Sequence, residues 1–195
     1  MKKKKETQAA APQQERVKPT KQQRKHHILM LLFVVLCRSF WPLYVTPWGA
    51  QRAFQRQYHW GPGRVLCQEE GQREYRLLAW EGDTALVVLQ RWGPFWMAEG
   101  NVPALLMGEN GLLYSWRSWG GEEYELVVYG KTEDNRISQV EVEFLTGETR
   151  RQEVTSEGGF LLVESRGTSD DFYVKTIRGL DEKGNIITED VIIKR

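Results

Sequence analysis

Apolar and polar positions follow three different patterns along this chain. Residues 1–27 have no periodic apolar positions, residues 28–45 (ILMLLFVVLCRSFWPLYV) are almost continuously apolar, and beyond Gly61 short apolar runs alternate with polar positions and turn residues. A segment of Lys, Gln, Ala and Pro cannot bury enough surface to offset its ordering entropy, so 1–27 is expected to be a disordered tail. The run that follows is 18 residues long and would measure about 27 Å as a helix, which predicts a transmembrane helix over 28–46.

Residues 47–60 predict a short juxtamembrane helix. Thr46 offers an N-cap hydroxyl and Pro47 a first helical position; residues 50–58 then set Phe54 and Tyr58 on one face and Arg52 and Arg56 on another. This helix is expected to lie against lipid headgroups or against the domain that follows. Over 61–195 the pattern predicts strands at 65–69, 74–80, 85–92, 95–98, 112–118, 124–129, 138–145, 149–154, 160–165, 172–178 and 186–193. Turn chemistry separates them: Gly93-Pro94, Gly120-Gly121, Asp134-Asn135 and Gly158-Gly159 among others. Residues 181–185 (DEKGN) read as a hairpin turn with Gly184 and Asn185 at positive φ, not as a calcium loop. Turn signals every 8 to 12 residues or so, with no helical pattern between them, predict an all-β fold: an antiparallel β-sandwich, Ig-like or related, as the domain outside the membrane. Nothing repeats at a fixed period, which excludes a solenoid or propeller.

Charge fixes the orientation. Residues 1–27 carry nine Lys and Arg against two Glu, a net of +7, whereas 61–195 carry fifteen against twenty-four Asp and Glu, a net of −9. By the positive-inside rule the tail is cytoplasmic and the 61–195 domain extracytoplasmic, in a single-pass protein of the cell membrane. The apolar run directly after the basic tail selects anionic lipid over nucleic acid as the tail's partner. Arg38 opposes insertion by about 2.5 to 3.5 kcal/mol, while the twelve Ile, Leu, Met, Phe and Val residues of 28–45 return about 4 to 7 kcal/mol. Arg38 either snorkels to the outer interface or pairs with an acidic residue of a neighbouring helix. Small residues are missing from the −3 positions of the cleavage sites near Ala53, and Leu36 precedes Cys37, so neither a cleaved leader nor a lipoprotein signal fits.

Residues 127–144 (VVYGKTEDNRISQVEVEF), Gly159-Phe160 and 179–187 (GLDEKGNII) resemble a group of small membrane-anchored β-domain proteins of Gram-positive bacteria, most of them uncharacterised. In that group a Tyr-Gly pair precedes an Asp-containing turn, an Ile and an alternating strand, matched here by Tyr129, Gly130, Asp134, Ile137 and Val140. Residues 92–100 (WGPFWMAEG) and the Thr46-Pro47 helix start fit the same pattern. The resemblance implies an envelope-facing β-sandwich and brings no catalytic residues with it.

Reactive constellations are scarce. His59 is the sole histidine beyond the apolar run, one His with Cys67 falls short of a zinc set, and the glycines form no phosphate loop. No cofactor and no metal are expected. Adjacent acidic pairs leave open a carboxylate dyad, as in an envelope hydrolase. Eight tryptophans are the unusual feature. Trp80 and Trp116, inside apolar strands, read as core; Trp92, Trp96 and Trp119, beside glycines at strand ends, read as a candidate aromatic binding surface. The function expected is a membrane-anchored, non-catalytic extracytoplasmic β module that binds an envelope protein or wall polymer, or senses the envelope. A hydrolase and a structural subunit of a membrane complex are the alternatives.

Overall fold

The computed structural model describes residues 21–40, 44–104, 106–108, 110–119, 124–166 and 173–193, with the backbone alone at 21, 23, 37–40 and 101. The chain divides into two compact units, Met1–Trp41 and Pro42–Arg195.

In the first unit, α1 (Lys21–Phe40) begins inside the segment expected to be disordered. Lys, Gln and Arg are strong helix formers, and no proline follows Pro19 until Pro42, so the helix extends back over 21–27. It ends at Phe40, just ahead of Pro42, whose ring disfavours helical backbone in the residue before it. Of the expected span over 28–46, residues 28–40 are helical, 44–46 are not, and 41–43 lie outside the described residues. Among the described residues no helix is long and apolar enough to cross a membrane. The nine residues Ile28 through Leu36 are all apolar, and each is between 50 and 70% exposed.

In the second unit, all eleven expected strands are present: β1 (Arg64–Glu70), β2 (Glu74–Trp80), β3 (Asp83–Trp92), β4 (Phe95–Asn101), β5 (Leu112–Trp119), β6 (Tyr124–Thr132), β7 (Gln139–Phe144), β8 (Thr149–Glu153), β9 (Gly159–Arg166), β10 (Val174–Leu180) and β11 (Ile186–Val191). Every pairing is antiparallel, so the all-β antiparallel expectation holds. The strands form three sheets, where a sandwich has two: β1-β2-β3-β4, β5-β6-β9 and β11-β10-β7-β8.

The β5-β6-β9 sheet lies between the other two. Val127, Tyr129 and Leu161 on one of its faces pack with Leu66, Tyr75, Leu77, Leu86 and Val88 of the first sheet. Leu126, Val128 and Phe160 on the other face pack with Val140, Val142, Phe144 and Ile177 of the third. A strand covered on both faces needs a continuous apolar run, and Leu126-Val127-Val128-Tyr129 supplies one. By contrast β7 alternates, with Val140, Val142 and Phe144 in the core and Glu141 and Glu143 on the opposite face, where Arg178 pairs with both and leaves Glu141 largely covered. Full burial of a side chain such as Phe144 or Phe160 contributes about 1.5 to 3 kcal/mol. Gly130 makes room for that core: a Cβ there would run into the Leu113 carbonyl and sit 2.7 Å from the Phe160 ring.

The short helix α2 (Pro47–Gln57) covers the outer face of the first sheet. Its N-cap is Thr46, whose Oγ1 accepts from the Gly49 amide at 3.1 Å, with Pro47 in the first turn. Ala50, Phe54 and Trp60 pack on Leu78, Ala85, Val87 and Leu89, and the Phe54 and Tyr58 rings meet at 4.8 Å. Of the two placements expected for this helix, the structure shows the one against the domain that follows, so residues 47–60 belong to the folded unit. At the 181–185 turn only Gly184 has positive φ; Asn185 instead donates its backbone and side-chain amides to the Asp181 carboxylate, each at 2.8 Å.

Candidate functional site

The three tryptophans expected to share a surface do not form one. Trp92, at the end of β3, is 54% exposed and pairs across the hairpin with Phe95. Trp96 is half-buried in the cluster beneath α2, and Trp119, on β5 of the middle sheet, is half-buried in the cluster between the first two sheets, so the two lie on opposite sides of the first sheet. Trp119 packs 5.5 Å from the Tyr75 ring and carries the Arg117 guanidinium 5.1 Å from its own. Glycine neighbours mark strand ends but do not reveal what covers them; here α2 covers Trp96 and the first sheet covers Trp119. Trp80 and Trp116 are packed, against Trp60 at 5.7 Å and Tyr114 at 6.2 Å. Arg38 lies in α1, and its side chain falls outside the described residues.

A different aromatic group comes together at the start of the second unit. Tyr44 forms a two-way backbone bridge with Trp96, at 2.9 and 2.6 Å, which adds the entering chain to the free edge of β4. Val45, the next residue, is 76% exposed. Trp48, in the first turn of α2, is half exposed, with its ring 4.4 Å over the Arg76 guanidinium. Arg76 is itself buried: its Nη1 donates to Gln51 Oε1 at 2.7 Å and its Nε to Glu74 Oε1 at 2.6 Å. The sequence reading missed this anchor, although an arginine between apolar neighbours in β2 required a partner.

The carboxylates are held by structure. Glu125, fully buried in β6, accepts from the Gln72 amide at 2.9 Å, from Arg73 Nη1 at 3.4 Å and from the Tyr75 hydroxyl. Gly71 lets that loop close, since a Cβ there would overlap Glu125 Oε1. Burial, then the hydrogen bond to Glu125, pushes the Tyr75 hydroxyl far above its ordinary pKa. Tyr114 is raised in the same way, by burial and then by its hydrogen bond to Asp190.

On the face of the third sheet opposite its core, Arg178 bridges Glu141 at 3.0 Å, Glu143 at 2.6 Å and Glu189 at 2.6 Å; Arg151 also holds Glu141, and Lys175 holds Glu143. Hydrogen bonds from Lys175 and Arg178 keep the Glu143 carboxyl below its ordinary range. Partial burial works to raise Glu141, but Arg151 and Arg178 outweigh it. Two carboxylates that are both held in the ionised form by cations lack the proton-donating member a glycosidase dyad needs.

An open cleft of about 550 Å³ lies between the Asn110-Gly111 turn and residues 133–136. Asp134 in it accepts from the Arg136 amide at 2.9 Å and from its Nη2 at 2.7 Å, which lowers its carboxyl to about 2. It shapes the turn. Among the described residues no group of three or more His, Cys, Asp or Glu is placed to hold a metal ion. No family model matches the chain, and comparison with curated proteins and with solved structures finds no match either.

Proposed function

We propose that this chain is a membrane-anchored module whose α1 segment seats in the bilayer and whose β unit, on the outer side, binds or senses a component of the envelope without catalysing a reaction. One observation carries the anchoring: nine consecutive apolar side chains on α1, each at least half exposed. A helix apolar on all sides is stable only when something apolar surrounds it, and a lipid core does so. The cationic tail before it and the aromatic residues after it are the flanks that bilayer interfaces favour. From Ile28 to Phe40 the helix measures about 20 Å, short of a core of about 30 Å; local thinning and snorkelling of Lys25 make up such a difference at modest cost. The Ig-like relationship and the resemblance to Gram-positive membrane-anchored proteins belong to this proposal.

The carboxylates described above favour a binding role over hydrolysis, because Glu125, Glu141, Glu143, Asp134 and Asp190 are each engaged by an arginine, a lysine or a tyrosine. Alkaline extraction of membranes tests the anchor: the full chain should stay in the pellet, and a chain with Leu32→Lys and Val35→Lys should move to the supernatant. Retention of both forms in the supernatant would refute it. For the binding role, the detergent-solubilised chain should retain a protein or polymer from purified envelope fractions; retention of nothing from either source argues against it.

A further inference from the structure

We propose that residues 44–60 form a releasable strap: α2 lifts from the first sheet while the rest of the β unit stays folded, and the outer face of that sheet opens. This device lies wholly within the β unit and does not rest on the anchoring proposed above.

α2 depends on the sheet to exist. Its eleven residues, with Gly49 among them, fall below the roughly 12 to 15 that an isolated helix needs in water. Yet its buried face consists of Ala50, Gln51, Phe54 and Gln55, so half of what it buries is glutamine.

The polar groups under α2 are poorly matched. Among the described residues three buried side-chain nitrogens have no hydrogen-bond partner, and two of them, Gln55 Nε2 and Trp60 Nε1, belong to this segment. Both residues are 6% exposed. On the sheet side the Arg76–Glu74 ion pair is largely buried as well, and Arg76 Nη1 donates to Gln51 Oε1 at 2.7 Å. That hydrogen bond breaks when α2 lifts, but Gln51, Gln55, Trp60 and both charges then gain water. Desolvated donors and charges therefore favour the open form, against the apolar contacts of Ala50, Phe54 and Trp60.

Attachment at the two ends is light. Tyr44 bridges to Trp96, and after Trp60 the chain passes through Gly61-Pro62-Gly63, with Gly61 at φ +99°, before β1 begins. Glycine backbone absorbs a change of direction there without a side-chain clash. By contrast β6 is paired along its length with β5 and β9 and packed on both faces. Local opening is drawn from segments of the first kind, whereas the second kind opens with global unfolding. With α2 away, Leu78, Ala85, Val87 and Leu89 lose their cover, so the strap sets access to that apolar strip.

The experiment uses the full chain in detergent micelles, below the urea concentrations that unfold it. The amides of residues 51–57 should be at least about 100-fold less protected from hydrogen exchange than those of β6. Fraying of the helix in place would also speed exchange, so a buried thiol reads detachment. In the Cys37→Ser, Cys67→Ser chain, Ala85→Cys lies beneath α2 and Val128→Cys between the middle and third sheets, both at positions that are 0% exposed. A water-soluble thiol reagent should modify residue 85 at least about 100-fold faster than residue 128. Gln55→Leu, which removes an unpartnered donor, should slow modification at 85 about tenfold and leave 128 unchanged. An unchanged rate at 85 in that chain overturns the polar mismatch as the cause of opening. Equal rates at 85 and 128 overturn the strap, as does fast exchange in α2 with residue 85 as slow as residue 128. Equal protection of α2 and β6 in the unsubstituted chain overturns it without any variant.

Discussion

The Arg76 guanidinium lies 4.4 Å from the centre of the Trp48 ring, so a buried cation in β2 braces an exposed aromatic at the head of α2. Arg76 also satisfies Gln51 and Glu74. Replacing Arg76 with Ala leaves both without their donor and should cost about 3 to 5 kcal/mol, the range for breaking a buried ion pair. Trp48→Ala should cost only about 0.5 to 2 kcal/mol. Urea unfolding of the full chain in micelles, followed by near-ultraviolet circular dichroism, measures both, and similar losses would argue against the bracing role.

Gly130→Ala should destabilise the β unit by about 1 to 3 kcal/mol or more, since the new methyl meets both the Leu113 carbonyl and the Phe160 ring. Adding Phe160→Leu should recover little, because the Leu113 contact is with backbone. The same unfolding assay reads the single and double variants.

Alkali should unfold the protein early. Cys67, Tyr75 and Tyr114 all have their pKa raised in the fold, Cys67 to about 12 by burial and the nearby Glu69 charge. A raised acid contributes stability that is complete below its unfolded value and is lost as pH climbs toward the folded one. The unfolded values are 9.0 for Cys67 and 10.0 for the tyrosines, so stability should be flat to about pH 9 and then fall, with each group adding at most about 1.4 kcal/mol per pH unit. Tyr75→Phe should make that fall shallower, as read from urea midpoints across the alkaline range.

Acid acts on the opposite face. Glu141 and Glu143 have depressed pKa values, so their contribution is present above the ordinary value of 4.5 and is lost as pH drops through the folded values. Arg178→Gln removes one cation from both. Stability near neutrality should fall by at most about 1 kcal/mol, as expected for part-exposed pairs, and the loss between about pH 5 and pH 3 should become shallower. An acid limb unchanged by the substitution would show that Arg151 and Lys175 suffice.

How much of this was legible in the sequence depended on distance along the chain. The strands and the Thr46-Pro47 cap were legible because alternation, turn residues and caps act over a few positions. Sheet membership was not, because β9 pairs with β6 and β10 with β7 across intervening elements. The doubly covered β6 had left a signal: a Glu at 125 heading an unbroken apolar run requires buried partners, which Tyr75 and Arg73 provide from about fifty residues away. Trp96 and Trp119 were misplaced for the same reason, since what covers a strand end is decided by another element. The start of α1 was missed because composition suggested disorder where Lys, Gln and Arg also favour helix.

Sidedness is the most direct test of the anchored arrangement. The full chain, with Cys37→Ser and Cys67→Ser, is expressed in bacterial cells carrying either Gln14→Cys in the tail or Ile186→Cys in the exposed β11, and treated with a maleimide that cannot cross membranes. Labelling of residue 186 in intact cells, and of residue 14 only after permeabilisation, is the predicted result. Labelling of both only after permeabilisation would contradict it.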